Sequence, residues 1–456
     1  MSFALFLSYL AIALVRPIEL FQLEFGEGRP IFILWALTFV SSIGAALARR
    51  ESAAKPAHLL LLAALTFVIA LSHIKSGWLG GAQLSLAHFS TSAGLFILIC
   101  LNATSFRRLK ITIYVTVASI AVVAALGVYA YHTGFYADRL VLGQQSGFDI
   151  DTSQFQDPDG EFGESGSRTI VPARDVSGLI LWRIRGLGFL NDPNDLAQAM
   201  VLALPLIWSA LRPGASMRNA LLVWFPGTVL LYAIYLTHSR GALIGIASLF
   251  FFGLQRRLGT ARTSLVLGSF GALAALSGFG GGREFSAGEE SAGDRISAWY
   301  AGMQMLKAYP VLGVGYGMFT EHHHLTAHNS YLLCLAELGL VGYFFWMGLI
   351  VLTYLGLKQV MDRQPATSDS YRLAELTRSA LIGFLTCAFF LSRSYQPTLY
   401  LTLGLGVATW YCAMASASGT GTRALAVPAW MKPTLTASVT MLVTIYLFVF
   451  VNTSLR

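Results

Sequence analysis

Long apolar stretches dominate this chain and constrain its fold more than any other feature. The sequence is 55% apolar and only 12% charged, whereas soluble domains carry about 25% charged residues. Roughly thirteen stretches are long enough to cross a hydrocarbon core of about 30 Å. They lie near residues 3–16, 31–48, 58–73, 84–103, 110–131, 196–211, 220–237, 241–255, 263–280, 330–357, 379–392, 397–416 and 434–452. The sequence predicts an all-α polytopic membrane protein with about 12–13 transmembrane helices.

Basic residues collect in short connections between these stretches. They are Arg49, Arg50, Lys55, Arg107, Arg108, Lys110, Arg212, Arg218, Arg256, Arg257 and Arg262. With a cytoplasmic N-terminus, all of these connections fall on one side, which the positive-inside rule makes cytoplasmic. The net charge of +8 therefore reflects membrane topology and does not indicate a nucleic-acid partner. No basic residue precedes the first apolar stretch, so we expect a retained span and not a cleavable signal peptide.

The two longest polar segments fall on the opposite, extracytoplasmic side. This topology predicts N-terminal transmembrane helices over 1–131, a loop over 132–195, central transmembrane helices over 196–280, a second loop over 281–329, and C-terminal transmembrane helices over 330–456. The first loop is rich in Asp, Glu, Gly and Ser and contains no apolar run of spanning length. We therefore expect it to be partly flexible.

The second loop contains a predicted amphipathic helix over 294–309. Its apolar residues recur at helical spacing, but it is too polar to span a membrane. We expect it to lie along the membrane surface, where Trp299 and Tyr300 suit the interface. Gly313, Gly315 and Gly317 follow it and predict a flexible turn. No strand precedes these glycines, so they do not form a nucleotide-binding fingerprint.

Four polar motifs also fall on the extracytoplasmic side. They are Arg183-Ile-Arg185-Gly186, Thr237-His238-Ser239-Arg240-Gly241, the histidine-rich segment 321–330, and Ser392-Arg393-Ser394-Tyr395. Arginines on this side run against the positive-inside bias. Arg240 lies between two apolar segments with almost no loop, so its guanidinium lies close to the membrane boundary. It either reaches lipid headgroups or faces the bundle interior, where a charged residue commonly marks a substrate path.

The first and third motifs each lead into a predicted helix. The turn Asn191-Asp192-Pro193-Asn194 precedes a helix that Asp195 can cap. In the third motif, Glu321, His324 and His328 share a possible helical face, but without a His-Glu-x-x-His pattern the signal for zinc is weak. His328 differs from the other histidines because Asn329 and the next span follow it directly. A structural role remains an alternative to a chemical role for this histidine.

Taken together, five features resemble the O-antigen ligase and Wzy-type polymerase superfamily. They are R-x-x-G followed by DPN, SRGA at a helix start, GDRxxAW, GxGxG, and HNSYLxxLAExGLVG, in this order over roughly 180–345. The resemblance implies a GT-C-like, multi-pass protein of the bacterial inner membrane with its active site facing the periplasm. The donor would be a glycan on undecaprenyl pyrophosphate, and the acceptor lipid A-core or another glycan. Membrane lipids would surround it, and no metal, cofactor or nucleotide sugar is expected.

The resemblance also assigns roles to residues. Arg185 and Arg240 are the first choices to stabilise the pyrophosphate leaving group, because guanidinium groups make paired, charge-assisted hydrogen bonds with phosphate. His328 matches the family histidine, either as a base or as a phosphate ligand. We expect these three to be catalytic. The expected substrate-binding residues are Arg183, Arg393, Asn329 and Tyr331, while Glu337 pairs with a cation or ends a polar path.

Several alternatives remain open at the level of sequence. Both Arg183-x-x-Gly186 and Arg185-x-x-Gly188 satisfy the family spacing, so either arginine can correspond to the family arginine. An O-antigen ligase is the leading function, and a Wzy-type polymerase is the close alternative. A lipid-linked oligosaccharide flippase would also use arginines for phosphate, although transporters usually show related halves and charged mid-membrane helices. A structural membrane component is the remaining class.

Overall fold

Membrane-length helices make up most of the protein. The computed structural model describes residues 2–23, 29–48, 56–145, 148–150, 180–264, 290–418 and 427–454. Within these ranges, nine helices are long and apolar enough to cross a membrane. The protein is therefore an all-α polytopic membrane protein, as the sequence predicted.

Four predicted spans are not among these nine helices. The predicted span 241–255 is present as the shorter apolar helix Arg240–Gln255. The predicted span 196–211 overlaps a 15-residue helix, Pro193–Ile207, and 379–392 overlaps the more polar helix Asp369–Ala388. The predicted span 263–280 lies almost entirely outside the described residues.

Two compact units divide the chain, and neither is continuous in sequence. The first comprises residues 1–40 and 111–285, and the second comprises 41–110 and 286–456. From its N-terminus to residue 140, the chain forms α1 (Ser2–Val15), α2 (Pro17–Leu20), α3 (Pro30–Ala48), α4 (Pro56–Ile74), α5 (Leu79–Asn102), α6 (Phe106–Thr133) and α7 (Ala137–Leu140). Helices α4 and α5 belong to the second unit, whereas α1, α2 and α7 belong to the first.

The first unit also contains a small antiparallel sheet, which the sequence analysis did not predict. Its strands are β1 (Val141–Gln145), β2 (Phe148–Ile150) and β3 (Ile180–Ile184), in the order β2-β1-β3. Val141 pairs with Ile184 and Gly143 with Trp182. Strands this short carry little periodic signal of their own. The remaining helices of the unit are α8 (Pro193–Ile207), α9 (Ser216–Asn219), α10 (Phe225–Leu236) and α11 (Arg240–Leu258).

The second unit is a helical bundle that continues after residue 286. It contains α12 (Glu290–Ala308), α13 (Phe319–His322), α14 (Ser330–Arg363), α15 (Asp369–Ala388), α16 (Pro397–Ser418) and α17 (Met431–Ser454). One core cluster joins Leu357 and Val360 of α14 to Ala374 of α15 and Trp410 of α16. This cluster lies at the C-terminal end of α14. At the other end of α14, hydrogen bonds between Ser330 and residues Leu391 and Arg393 place the helix start beside the connection between α15 and α16.

The predicted amphipathic helix is present as α12. Trp299 is only 5% exposed and packs against Phe389 and Phe448 with ring centroids 5.5 and 4.8 Å apart. The expectation that Trp299 faces the membrane interface is therefore wrong, because its ring is buried within the unit. Tyr300, next to it, is exposed.

Candidate active site

Arg183 connects the first two polar motifs within the first unit. Its Nε atom donates to the carbonyl oxygen of Thr237 over 2.7 Å, and its Nη2 atom donates to Oδ1 of Asn194 over 3.0 Å. The side chain is 4% exposed. A buried arginine needs such partners because an unpaired buried charge is costly. Strand β3, the start of α8 and the turn before α11 are thus joined through one guanidinium group.

The turn between α10 and α11 places Arg240 at the first position of α11. Ser239 caps this helix by accepting a hydrogen bond from the amide of Ala242 over 3.4 Å. His238 has a φ angle of 48°, in the left-handed region that side chains other than glycine rarely adopt. Arg240 itself is half-buried. The helix start predicted for this motif is confirmed.

Arg185 follows β3 and takes different partners from Arg183. Its Nε atom donates to the carbonyl oxygen of Arg139 over 2.8 Å, and its Nη2 atom donates to that of Asp138 over 3.3 Å. Arg139 in turn donates to the carbonyl oxygen of Glu19. The side chain of Arg185 is half-buried and that of Arg183 is buried. Arg139 is not conspicuous in the sequence, because acidic residues dominate the segment in which it lies.

The glycines after Arg185 allow another group to approach the backbone closely. At Gly188 the group that does so is the side chain of Arg16. Gly188 has a φ angle of 57°, and a Cβ atom there would lie 2.5 Å from Nε of Arg16. Arg16 also forms an ion pair with Glu19 at 2.5 Å. Arg16 is therefore a second positive residue beside this motif that the sequence analysis did not select.

The helix entry predicted after the first motif is confirmed, but its cap is a different residue. Oδ1 of Asp192 accepts a hydrogen bond from the amide of Asn194 over 2.7 Å, so Asp192 caps α8. Asp195 was the predicted cap and instead lies buried in the first turn. The proline at the first position of the helix has shifted the boundary towards the N-terminus.

In the second unit, the histidine-bearing motif and the Ser392–Tyr395 motif are joined at Ser330. Oγ of Ser330 donates to the carbonyl oxygen of Leu391 over 2.5 Å and accepts from the amide of Arg393 over 2.9 Å. Oγ of Ser394 donates to the carbonyl oxygen of Ser330 over 2.6 Å. These bonds hold Arg393 beside the first turn of α14.

His328 and Asn329 lead into α14 in the same way that His238 and Ser239 lead into α11. His328 has a φ angle of 47°, and Oδ1 of Asn329 accepts from the amides of Tyr331 and Leu332 at 2.9 and 3.0 Å. Nδ2 of Asn329 is buried and has no hydrogen-bond partner among the described residues. Capping of α14 accounts for the hydrogen bonds that Oδ1 of Asn329 accepts. The Nδ2 atom is a candidate hydrogen-bond donor to a substrate.

The side chain of Tyr331 is directed into the bundle. It is 6% exposed, and its hydroxyl donates to the carbonyl oxygen of Leu385 over 3.1 Å. Its ring also contacts Trp346 edge to face. These contacts favour a packing role over the sugar contact expected from the sequence.

The adjacent histidines contact their own loop and the neighbouring helix α12. Nδ1 of His322 hydrogen-bonds with the carbonyl oxygen of Met318 at 3.1 Å, and Nε2 of His323 lies 3.2 Å from Oγ of Ser297. Across the part of the chain that the structure describes, no group of three or more His, Cys, Asp or Glu is arranged to hold a metal ion. Glu321 and His324 are exposed.

Comparison with known proteins adds the family. The model of the O-antigen ligase family matches residues 227–347, a range that begins in α10 and ends within α14. No curated protein matches the chain. The fold defines a polytopic membrane protein in which the first unit carries Arg240 at the start of a helix and the second unit carries His328 just before one. The family match supports its assignment to the O-antigen ligase and Wzy-type superfamily, and thus to membrane enzymes of the ligase or polymerase type.

Proposed function

We propose that this protein transfers a glycan from undecaprenyl pyrophosphate to an acceptor hydroxyl on the periplasmic face of the bacterial inner membrane. The proposed acceptor is lipid A-core, as in O-antigen ligases. The observation that carries the proposal is the family match over 227–347, because that range contains both Arg240 and His328.

The proposed reaction exchanges one bond at the anomeric carbon of the first sugar. The acceptor oxygen bonds to this carbon while the bond to the phosphate oxygen breaks, and the electron pair leaves with undecaprenyl pyrophosphate. The hydroxyl proton passes to the imidazole of His328 or to the departing phosphate. Arg185 and Arg240 would stabilise the negative charge that develops on the leaving group.

Burial separates the two arginines of the first motif. Arg183 is buried and directs two donor atoms to Thr237 and Asn194, so we assign it to positioning the turn that carries Arg240. Arg185 is half-buried, so its guanidinium is more accessible than that of Arg183, and its Nε and Nη2 atoms donate to backbone carbonyl oxygens. This contrast favours Arg185 as the phosphate ligand. Arg393 and Nδ2 of Asn329 are the further candidates to contact substrate.

Reconstitution tests the proposal directly. Purified protein in detergent is incubated with a polyprenyl-pyrophosphate glycan and lipid A-core, and a covalent product is sought on a gel. We expect product with the parent protein and none with Arg240→Ala or His328→Ala. The matched controls Arg262→Ala and His322→Ala change exposed residues of the same types and should retain activity. Absence of product with every acceptor tried would instead favour a flippase or transporter.

A deletion strain distinguishes ligase from polymerase. If the polymer is still made but remains on its lipid carrier, the missing step is ligation to lipid A-core. If only single repeats reach lipid A-core, the missing step is polymerisation, and the proposed acceptor is wrong. A strain that makes normal lipopolysaccharide would show that the protein has neither activity.

A further inference from the structure

Helix α14 is interrupted nine residues after its start. Gly339 has φ 64° and ψ −168°, a combination that is essentially restricted to glycine. An uninterrupted helix would pair the amides of Leu340 and Val341 with the carbonyls of Ala336 and Glu337. The break leaves these four backbone groups without their helical partners, at about 13 Å along the axis from Ser330.

A turn formed by residues 310–317, here called the inserted turn, supplies all four missing partners. The bonds run from Leu340 N to Pro310 O (2.8 Å), from Val341 N to Val311 O (3.3 Å), from Val314 N to Ala336 O (2.9 Å), and from Gly315 N to Glu337 O (3.0 Å). Non-helical backbone at membrane depth is tolerated only where protein buries it and satisfies its polar groups. The flexible turn expected from the glycine spacing is therefore an anchored one.

Two facing glycines make this insertion possible. A Cβ atom on Gly313 would lie 2.2 Å from the backbone carbon of Glu337, and one on Gly339 would lie 2.4 Å from that of Val311. Real Cβ atoms essentially never approach other atoms this closely. The two backbones can pair only because both positions lack a side chain.

The side chain of Glu337 also binds the chain just after the inserted turn, at Phe319. It is 3% exposed, and its Oε1 atom accepts a hydrogen bond from the amide of Phe319 over 3.3 Å. Phe319 is the first residue of α13. Glu337 thus holds the chain where it leaves the inserted turn.

Helix α4 holds the opposite side of the inserted turn. The amide of Tyr316 donates to Oγ of Ser72 over 3.1 Å, and Nε2 of His73 donates to the carbonyl oxygen of Tyr316 over 3.0 Å. Lys75 donates to the carbonyl oxygen of Gly313. The inserted turn is therefore hydrogen-bonded to two helices of the second unit.

The segment that carries His328 is consequently fixed at both ends on one helix. It leaves the inserted turn at the contact between Phe319 and Glu337 and returns to α14 at the cap formed by Asn329. His328 lies at the second anchor with a positive φ angle. Such a conformation persists only where the surrounding structure enforces it.

We propose that Glu337 is a positioning residue that anchors the inserted turn and thereby sets the position of His328. The proposal rests on the proposed function of His328 in glycan transfer. Glu337 acts through the oxygen that accepts from Phe319 and has no direct role in the chemistry. A displacement of about 1 Å in a reacting group can lower a rate by about 100-fold, so loss of this anchor should affect turnover strongly.

Two substitutions of Glu337 separate the anchoring oxygen from the charge. Glu337→Gln retains an acceptor for the Phe319 amide, whereas Glu337→Leu removes it at similar size. We expect Glu337→Gln to keep kcat within about twofold and Glu337→Leu to lower kcat about 10-fold to 100-fold, with the KM for the donor nearly unchanged. Gly313→Ala would place a Cβ atom against the backbone of Glu337 and displace the inserted turn itself, so it should lower kcat in the same way.

Amide hydrogen exchange over residues 310–322 provides a readout that does not depend on activity. We expect exchange in this segment to be unchanged in Glu337→Gln and about tenfold faster in Glu337→Leu. Unchanged exchange in Glu337→Leu would overturn the proposal. It would also be overturned if Glu337→Gln lost activity while exchange stayed at the parent rate, since the charge would then be the essential property. If the parent protein transferred no glycan, the proposed function would fail, and exchange alone would still decide whether Glu337 is the anchor.

Discussion

The Nε atom of Arg183 donates a hydrogen bond over 2.7 Å to the carbonyl oxygen of Thr237, three residues before Arg240. The same guanidinium binds Oδ1 of Asn194. Arg183 of the first polar motif thus supports the turn that carries Arg240 of the second motif. The bonding explains why an arginine is needed at position 183 even if no substrate touches it.

Arg183 and Asn194 should be coupled in stability. Arg183→Lys keeps the charge but cannot reproduce the paired donors of a guanidinium, and we expect it to lower the free energy of unfolding by about 1–3 kcal/mol. Asn194→Ala should cost less. Because both changes remove the same hydrogen bond, the double variant should cost less than the sum of the two. Thermal unfolding in detergent measures these values, and strictly additive costs would contradict the coupling.

Arg240 should matter for turnover more than for folding. Arg240→Ala is expected to lower kcat about 100-fold or more, since one preorganised donor to a developing charge contributes about 3–4 kcal/mol. Arg240→Lys should recover only part of this activity because it lacks the planar pair of donors. Transfer kinetics measure the effect, with Arg262→Ala as the matched control. A kcat close to that of the parent in Arg240→Ala would remove this residue from the site.

His328 should show separate effects on backbone strain and on chemistry. Its positive φ angle suits glycine better than alanine, so His328→Gly should be more stable than His328→Ala by about 1 kcal/mol. Both variants should lose glycan transfer, because neither has an imidazole. Melting temperatures and transfer assays test the two statements independently. Transfer by His328→Gly at the parent rate would assign this histidine a purely structural role.

Asn329 offers a test of its two side-chain ends. Asn329→Asp keeps an oxygen that can cap α14 but removes the Nδ2 donor, whereas Asn329→Ala removes both. We expect Asn329→Asp to retain stability and lose activity, and Asn329→Ala to lose in addition about 1 kcal/mol of stability. Unfolding and transfer measurements on the same preparations decide this. Full activity in Asn329→Asp would exclude the amide nitrogen from substrate binding.

Asp369 contributes a pH-dependent interaction away from the candidate site. Nζ of Lys110 donates to Oδ2 of Asp369 over 2.7 Å, and this hydrogen bond lowers the pKa of Asp369 below its ordinary value of 3.8. A lowered folded-state pKa means that the stabilisation is present above pH 3.8 and is lost as the pH falls through the folded-state pKa. The side chains of Lys110 and Asp369 are 30% and 69% exposed, so solvent screening should keep the effect below about 1 kcal/mol.

The pH dependence can be isolated with one substitution. Asp369→Asn removes the titrating group, so its melting temperature should approach that of the parent as the pH falls from 7 towards 3. The parent should be slightly more stable throughout the range above pH 3.8, and the difference should shrink only below it. A difference that grows on acidification would contradict the direction of the pKa shift.

The sequence predicted the membrane helices well because hydropathy is a local property. Nine described helices match predicted spans, and the helix starts at Arg240 and after Asn329 follow from cap residues that lie next to them. The three-stranded sheet was missed, since its strands are short and β3 pairs with a segment about forty residues away in sequence. Sheet pairing of this kind has no signature within a single window of residues.

In the candidate site, too, the sequence indicated the residues, and the structure identified their partners. Charge and motif order selected Arg183, Arg185, Arg240 and His328, but not which atoms each arginine binds. Thr237, which accepts from Arg183, is 54 residues away from it, and Arg139, which accepts from Arg185, is 46 residues away. The family match covers the region of Arg240 and His328 and begins after Arg183 and Arg185.

The sequence by itself determined that this chain lies in a membrane as many helices and where several of them begin, because apolar length and cap residues act over a few neighbouring positions. Only the tertiary structure decided that the glycine-rich turn enters the break in α14, that Glu337 contacts Phe319, and that Trp299 is buried. These contacts depend on the packing of segments far apart in the chain. Backbone groups freed by a break can pair with any nearby turn, and only the folded chain specifies which one.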